Sequence, residues 1–339
     1  AFALGETTPP IASIQGRAHR SPLEGDWLRG VTGIVTAVDP DPEHGGFWLQ
    51  QPDAAADGDP ATSEGLFVGL APGASAGIRP GELARVDGAV RELGSSGGLT
   101  VTTLLAGVVE TVASGASPPA PICLGAAGRR PPAVVIDDDS LTRFDPCCDA
   151  LDFFESLEGM RVELGPTTAV SGTTRHGEIV VVLADGGAGL RSARGGVVLR
   201  PGDPNPERIV LDDRIASNAT PQIHVGQSFA APISGVVGYA FGNFRVQVDA
   251  WPPASSGGDA VPGARPDRPG ELSIASYNVL NLDALDGETT YARVASSIVD
   301  GLGAPAALGL QEIQDDNGAE DGGVVSAELT LTLLVDAIE

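Results

Sequence analysis

Two side chains near the end of the chain have the types and spacing for divalent-cation chemistry. Asn278 lies in the apolar run SIASYNVLNL (273–282), and Glu312 lies near the end of a second run, AALGLQEI (306–313). If the two runs form neighbouring parallel strands, their carboxyl ends meet at one edge of a sheet, where ligands bind in α/β folds. Amide and carboxylate oxygens suit Mg²⁺ or Ca²⁺, and a cation held there can bind a phosphoryl oxygen. The alternative is that Asn278 caps a turn and Glu312 is a solvated strand end.

The segment around these residues predicts an alternation of strands and helices. TTYARVASSIVDGLG (289–303), between the two apolar runs, has an amphipathic stripe typical of a helix. The residues from 327 to 339 favour a second helix. Strand, helix, strand, helix is typical of an α/β domain, and the segment 271–339 is interpreted as one.

The rest of the chain predicts β structure divided by two linkers. The stretches 113–150 and 251–270 are rich in Pro, Gly, Ala and Ser over much of their length, which indicates linkers. Five short apolar runs between 11 and 112, separated by turn clusters, predict a small closed barrel. The segment 151–250 loosely repeats this pattern, which predicts a second barrel of the same kind.

The net charge of the chain restricts its interactions with nucleic acid. Asp and Glu total 45 against 20 basic residues, all of them Arg, which gives −25. A field of this sign repels nucleic acid at long range and argues against a protein that passively coats DNA. An enzyme that meets phosphate through a divalent cation is not excluded, because the cation inverts the local charge.

The cysteines and the hydropathy leave the cellular setting open. Cys147 and Cys148 are adjacent and are not expected to pair with each other, so either one could pair with Cys123, or all three could be free thiols. No run approaches the roughly 18 apolar residues of a membrane span. The start, AFALGETTPP, lacks the basic and apolar regions of an intact signal peptide.

Several motifs together resemble a known group of hydrolases. SIASYNVLNL followed by LGLQEI resembles the opening of the endonuclease/exonuclease/phosphatase superfamily, the deoxyribonuclease-like fold. Upstream, IASIQG (11–16), GFWLQQPD (46–53), DGDPATSEGLFV (57–68) and GVVGYAFGNFRVQV (235–248) resemble bacterial predicted extracellular nucleases. Those proteins place an oligonucleotide-binding-type (OB) barrel before the nuclease domain.

The resemblance implies a fold class and a site. The expected architecture is tandem small OB-like β-barrels followed by the N-terminal part of a four-layer α/β sandwich. Asn278 would be the asparagine on the phosphate and metal side, and Glu312 the ligand of Mg²⁺ (or Ca²⁺ or Mn²⁺). The implied protein is secreted, with DNA or RNA as substrate and without a stable protein partner.

The chain departs from that family in one respect. All four histidines precede residue 271, so the segment 271–339 contains none of the histidines that the family uses for proton transfer. We therefore expect the proton-transfer residues beyond Glu339, and expect this chain to be a fragment that is inactive alone. The rival interpretation is a natural pseudo-enzyme.

The first barrel suggests a second class of function. In GFWLQQ (46–51), Phe47 and Leu49 point one way and Trp48 points the other, so Trp48 could stack an unpaired base. The alternative is that Trp48 packs against a neighbouring domain. A non-catalytic module for nucleic acid or polysaccharide, and a phosphatase or phospholipase of the same superfamily, therefore remain alternatives. Arg17, His19 and Arg20 form a candidate basic patch.

Overall fold

The structure is a computed structural model, and it describes residues 8–75, 77–94, 98–185, 191–192, 195–255 and 270–339. The chain is mostly β-sheet, with about 13% helix. It divides into two compact units, Ala1–Gly258 and Asp259–Glu339, and the division falls inside the stretch 251–270. Within the described ranges, each helix is too short or too polar to cross a lipid bilayer.

The first part of the larger unit is a closed five-stranded barrel. Its strands are joined in the order β1-β2-β3-β5-β4, and β4 closes the barrel on β1. Apolar residues alternate along β4, as expected for a strand with one face in a core. The bounds of its elements are α1 Ile11–Gln15, β1 Trp27–Asp39, β2 Gly46–Gln50, β3 Gly65–Gly69, β4 Leu83–Leu93 and β5 Val101–Ala113.

The second part of this unit is an eight-stranded sheet of mixed direction. The strand order is β11-β8-β9-β10-β13-β12-β7-β6, in which β10 runs parallel to β13 and β6 runs parallel to β7. A core that includes Phe153, Leu157 and Phe229 lies against it. The bounds are β6 Ile122–Leu124, α2 Ala150–Glu155, β7 Arg161–Leu164, β8 Thr167–Ala169, β9 Ile179–Leu183, β10 Ile209–Asp212, β11 Ser228–Phe229, β12 Ile233–Ala240 and β13 Asn243–Val248.

The barrel and the sheet meet where two glycines leave room for backbone contact. A Cβ atom on Gly65 in β3 would lie 2.1 Å from the carbonyl carbon of Gly159, which precedes β7. The Gly159 N–H donates to the carbonyl of Val237 in β12 over 2.8 Å. Arg214 adds a polar connection, since its Nε lies 2.7 Å from Oδ2 of Asp39 in β1. The two parts therefore form one packed unit.

In its described residues, 270–339, the smaller unit contains two parallel strands and two helices. The strands are β14 Ile274–Leu282 and β15 Ala307–Ile313, and the helices are α3 Glu288–Ser296, extended by a π-helical turn at Ser297–Gly301, and α4 Glu328–Ile338. Alternate residues of β14 face the helices, where Val279, Tyr291, Val294, Ile298 and Leu334 form a small core. The Asp316 carboxylate caps α4 by accepting the N–H groups of Leu329 and Thr330.

The predicted fold class, tandem OB-like barrels followed by part of a four-layer α/β sandwich, is wrong. The structure is mostly β-sheet with few helices, and the predicted second barrel at 151–250 belongs instead to an open eight-stranded sheet. The pairing of β6 with β7 and of β10 with β13 extends this sheet sideways instead of closing it. In the described residues of the smaller unit, the sheet has two strands and does not form a layered sandwich.

Candidate functional site

The structure brings Asn278 and Glu312 into direct contact. They lie on neighbouring parallel strands, in which Asn278 is paired with Gln311. The Asn278 amide Nδ2 donates to Glu312 Oε1 over 2.6 Å, and both side chains are exposed. The carboxyl ends of β14 and β15 thus form one polar edge, at which an exposed carboxylate is held by an amide.

The backbone around this pair adopts costly conformations. Leu280, Asn281 and Glu312 have φ values of 58°, 57° and 58°, in the left-handed region that residues other than glycine rarely enter. The strand register shifts between Asn278 and Leu282, so β14 bulges beside Glu312. Each residue in this conformation lowers the stability of the fold by on the order of 1–3 kcal/mol, and residues in such conformations cluster at ligand sites.

Hydrogen bonds fix the orientation of the Asn278 amide. Its Oδ1 accepts the N–H of Leu280 over 2.8 Å, which leaves Nδ2 to face the Glu312 carboxylate. A second amide pair follows on the same edge, where Gln314 Nε2 donates to Asn281 Oδ1 over 2.8 Å. Asn278 is therefore both a turn-capping residue and a donor that holds Glu312, and Asn281 cross-links the two chain segments.

The donor set at this edge fits a hard divalent cation that is bound mainly by water and substrate. Glu312 offers one exposed carboxylate, and Mg²⁺ is typically bound through one or two carboxylates together with phosphate oxygens and water. Among the described residues, the ligand atoms of three or more His, Cys, Asp or Glu converge at Asp145, Cys147 and Cys148, and Glu312 is not part of such a group. That Asn278 itself contributes a metal ligand stays a prediction.

Trp48 occupies a different environment from the one expected for base stacking. Its side chain does point away from the barrel interior, but it is only 5% exposed. It packs with Ala37 and Val236, and its ring centroid lies 4.9 Å from that of Phe67. In this conformation a base cannot stack on Trp48, because Val236 of the eight-stranded sheet covers it. This agrees with the alternative, in which Trp48 packs against a neighbouring part of the chain.

The candidate basic patch at Arg17, His19 and Arg20 is neutralised by carboxylates. Arg17 pairs with Asp59, and Arg20 pairs with Glu24. His19 lies between Asp152 and Glu155 of α2 and pairs with both of them. These residues therefore do not form a free cationic surface for nucleic acid.

Buried carboxylates near His19 were missed by sequence reasoning. Glu155 is buried, and Glu158, three residues later, is 1% exposed. Glu158 Oε1 accepts the Thr102 N–H over 2.9 Å, while its Oε2 has no hydrogen-bond partner among the described residues. Burial first, and then the charge of Glu155, raise the pKa of Glu158 well above its ordinary value. The partners of His19 are more than 130 residues away along the chain, so spacing gave no signal.

The three cysteines are free thiols in the structure. Cys147 Sγ lies 2.9 Å from Cys148 Sγ and 2.9 Å from Asp145 Oδ1. Its hydrogen bond to Asp145 and its contact with Cys148 raise the pKa of Cys147 to about 12. Since the thiolate is the reactive form, Cys147 is a poor nucleophile near neutral pH.

Comparison with known proteins gives a match for part of the larger unit. A family described as Domain of unknown function (DUF8508) matches residues 123–256, which contain the eight-stranded sheet except for its first residue, Ile122. No curated protein and no solved structure matches the chain. The one similarity found therefore names a domain without a known function, and it does not include Asn278 or Glu312.

Proposed function

We propose that this chain carries part of a secreted, metal-dependent nuclease that hydrolyses phosphodiester bonds in DNA or RNA. The observation that supports it best is the hydrogen bond between Asn278 Nδ2 and Glu312 Oε1 at the carboxyl ends of two parallel strands. This edge is the place where α/β structures bind ligands. The left-handed backbone at Glu312 adds support, because a conformation of that cost needs a compensating role.

In this proposal the two residues have different roles. Glu312 is the ligand of Mg²⁺ (or Ca²⁺ or Mn²⁺), and the cation supplies charge stabilisation at the phosphoryl group when it is bound. Asn278 holds the carboxylate in place and has a second amide hydrogen that can donate to a phosphate oxygen. The Asn278 amide cannot take up a proton, and the Glu312 carboxylate is assigned to the cation. Proton transfer therefore belongs to other groups.

The cation dependence also reconciles the proposal with the charge of the chain. With a net charge of −25, the protein repels a polyanion at long range. A divalent cation at Glu312 changes the local sign and gives the phosphate a place to bind. We therefore expect nucleic-acid binding to depend on the cation.

The first experiment measures Mn²⁺ binding to the 339-residue chain by electron paramagnetic resonance, with Mn²⁺ in place of Mg²⁺. We expect binding to be lost in Glu312→Gln and kept in Glu320→Gln, an exposed acidic residue of the same unit. Equal binding in Glu312→Gln and the unsubstituted chain would contradict the assigned role of Glu312.

The second experiment tests the reaction. Single-stranded oligonucleotide, plasmid DNA, RNA, a phosphomonoester and a phospholipid are incubated with Mg²⁺ and the natural protein that contains this chain. We expect cleavage of the phosphodiester in nucleic acid, and loss of cleavage in Glu312→Gln. Hydrolysis of the monoester or the phospholipid alone would replace the nuclease proposal with one of those two activities.

A further inference from the structure

A cleft on the eight-stranded sheet has the properties of a ligand site. It has a volume of about 340 Å³ and is lined by residues between 136 and 245, all within the part of the chain that matches the domain of unknown function. The start of α2, strands β9 and β10, and the β12–β13 hairpin contribute to its walls. It lies in the larger unit and contains neither Asn278 nor Glu312.

Two buried polar side chains in the wall of the cleft have unpaired atoms. Asn205 is 2% exposed and Arg245 is 3% exposed, and both line the cleft. Among the described residues, Asn205 Oδ1 and Arg245 Nε have no hydrogen-bond partner. A buried donor or acceptor without a partner carries an uncompensated desolvation cost. A ligand edge with one acceptor and one donor would satisfy both atoms.

The remaining atoms of these two side chains are held in place. Arg245 Nη1 pairs with Asp212 and with Glu178, the latter over 3.1 Å, and Nη2 donates to the carbonyl of Ala240. Asn205 Nδ2 donates to the carbonyl of Val198 over 3.3 Å. The charge of Arg245 is therefore compensated, and only its Nε edge is left for another acceptor.

Arg208 supplies a second positive charge at the same cleft. Its side chain is exposed, and its Nε donates to the carbonyl of Asn205 over 3.0 Å. Within the described ranges, Arg208 forms no ion pair, unlike Arg245. In a chain of net charge −25, an unpaired guanidinium at a cleft favours a ligand with an anionic group, and arginine binds phosphate well.

Three aromatic rings form an apolar part of the wall. Phe154 and Phe244 are stacked with ring centroids 5.8 Å apart, and Tyr239 meets Phe244 edge-on at 5.1 Å. Aromatic side chains of this kind stabilise flat rings of ligands and bases. The cleft thus combines an aromatic wall, an unpaired donor, an unpaired acceptor and a guanidinium group.

We propose that this cleft binds a single nucleotide. The base lies against the aromatic wall, its edge of donors and acceptors serves Asn205 and Arg245, and the phosphate pairs with Arg208. The choice of a nucleotide among flat anionic compounds rests on the proposed nuclease function. Binding itself requires neither Asn278 nor Glu312, so the two proposals can be tested separately.

The experiment is isothermal titration of the 339-residue chain with AMP, in the presence of a chelator so that cation binding plays no part. We expect AMP to bind more tightly than adenosine or ribose 5-phosphate, since each of those lacks one of the two recognised groups. Arg208→Ala should weaken AMP binding at least tenfold. Arg79→Ala, an exposed arginine of the barrel, is the matched control and should bind AMP unchanged.

Other outcomes overturn the proposal. Arg208 is exposed, so Arg208→Ala should fold normally, and circular dichroism checks this. Absence of AMP binding at millimolar concentration, or equal binding by Arg208→Ala, would reject the nucleotide site. Binding of maltose without binding of AMP would make the cleft a carbohydrate site instead. Loss of AMP binding in Glu312→Gln would place the nucleotide elsewhere, whereas normal binding in that variant keeps this proposal even if the nuclease proposal fails.

Discussion

His19 Nε2 lies 2.6 Å from Asp152 Oδ1, and the other ring nitrogen of His19 lies 3.2 Å from Glu155 Oε2. The histidine belongs to the segment before the barrel, and both carboxylates belong to α2 beside the eight-stranded sheet. Burial by itself lowers the pKa of His19, but the hydrogen bonds and charges of Glu155 and Asp152 outweigh it and raise the pKa. A protonated His19 therefore joins the two parts of the larger unit.

Stability should fall as the pH rises through the neutral range. The folded pKa values of His19, Glu155 and Glu158 are all raised, the last two mainly by burial. For each group, the folded state binds more protons than the unfolded state between the unfolded pKa, about 4.3 for Glu and about 6.5 for His, and the raised folded pKa. The stability that each group contributes is complete below its unfolded pKa and is lost as the pH rises through its folded pKa. Urea unfolding at pH 5.5, 7.0 and 8.5 should show a decreasing midpoint.

The control for this pH dependence is Glu158→Gln. Glutamine keeps an acceptor for the Thr102 N–H but cannot ionise, so the variant should lose less stability between pH 5.5 and 8.5. Each unit of raised pKa corresponds to about 1.4 kcal/mol, which sets the scale of the expected difference. Parallel pH profiles for the variant and the unsubstituted chain would show that Glu158 does not contribute.

Replacing Gly159 by alanine should destabilise the larger unit more than a matched replacement elsewhere. Gly159 has φ +73° and a Cβ there would lie 2.8 Å from the backbone of Gly65, whereas Gly73 has φ +75° and open space around it. Both variants carry the left-handed penalty of about 1–2 kcal/mol, but only Gly159→Ala adds a clash of about 1–3 kcal/mol. The difference in unfolding free energy between the two variants measures the contact, and a difference near zero would mean that barrel and sheet separate easily.

Removing Asn278 should weaken cation binding without abolishing it. In the proposed site Asn278 holds the Glu312 carboxylate, and loss of such a supporting group typically costs 10–100-fold in metal affinity or activity. Asn278→Ala should therefore show Mn²⁺ binding weakened by about that factor, and Glu312→Gln should show none. Identical losses in the two variants would indicate that Asn278 is itself a ligand.

Cys147 should become more reactive when Asp145 loses its charge. The hydrogen bond to Asp145 is the first cause of the raised pKa of Cys147, and the charge of Asp145 adds to it. Asp145→Asn should therefore lower that pKa and increase the thiolate fraction. Alkylation by iodoacetamide at pH 8, followed by mass spectrometry of the peptides, measures the rate. Asp138→Asn serves as the control, and an unchanged rate at Cys147 in Asp145→Asn would remove the assigned cause.

Local pattern predicted several elements correctly where neighbours in sequence are neighbours in space. The amphipathic stripe in 289–303 includes Tyr291, Val294 and Ile298, which are buried in the small core of the smaller unit. The turn-separated runs between 11 and 112 form a closed barrel. Alternation also placed Trp48 on the outside of this barrel, apart from the core that contains Phe47 and Leu49.

Long-range pairing was not predictable from these patterns. The second barrel was predicted because 151–250 loosely repeats the pattern of the first barrel. Barrel closure, however, depends on which strands pair, and β10 pairs with β13 across more than 30 residues of sequence. The cover on Trp48 comes from Val236, nearly 190 residues later. At the candidate site, the contact of Asn278 with Glu312 could be expected from two neighbouring parallel strands. The orientation of the Asn278 amide depends on the bulge in β14, for which the sequence carries no recognisable pattern.

The backbone contact of Gly65 with Gly159 has a consequence for anyone who divides this chain into fragments. In the whole chain, the Glu158 carboxylate accepts hydrogen bonds from the Gln15 amide and the Thr102 N–H. A barrel excised at residue 112 would leave both donors exposed, together with the apolar face of Trp48. The covalent linker between barrel and sheet is thus not a boundary of cooperative folding. Expression trials should begin with the whole of residues 8–255, and the two halves produced separately should recombine into a complex when mixed.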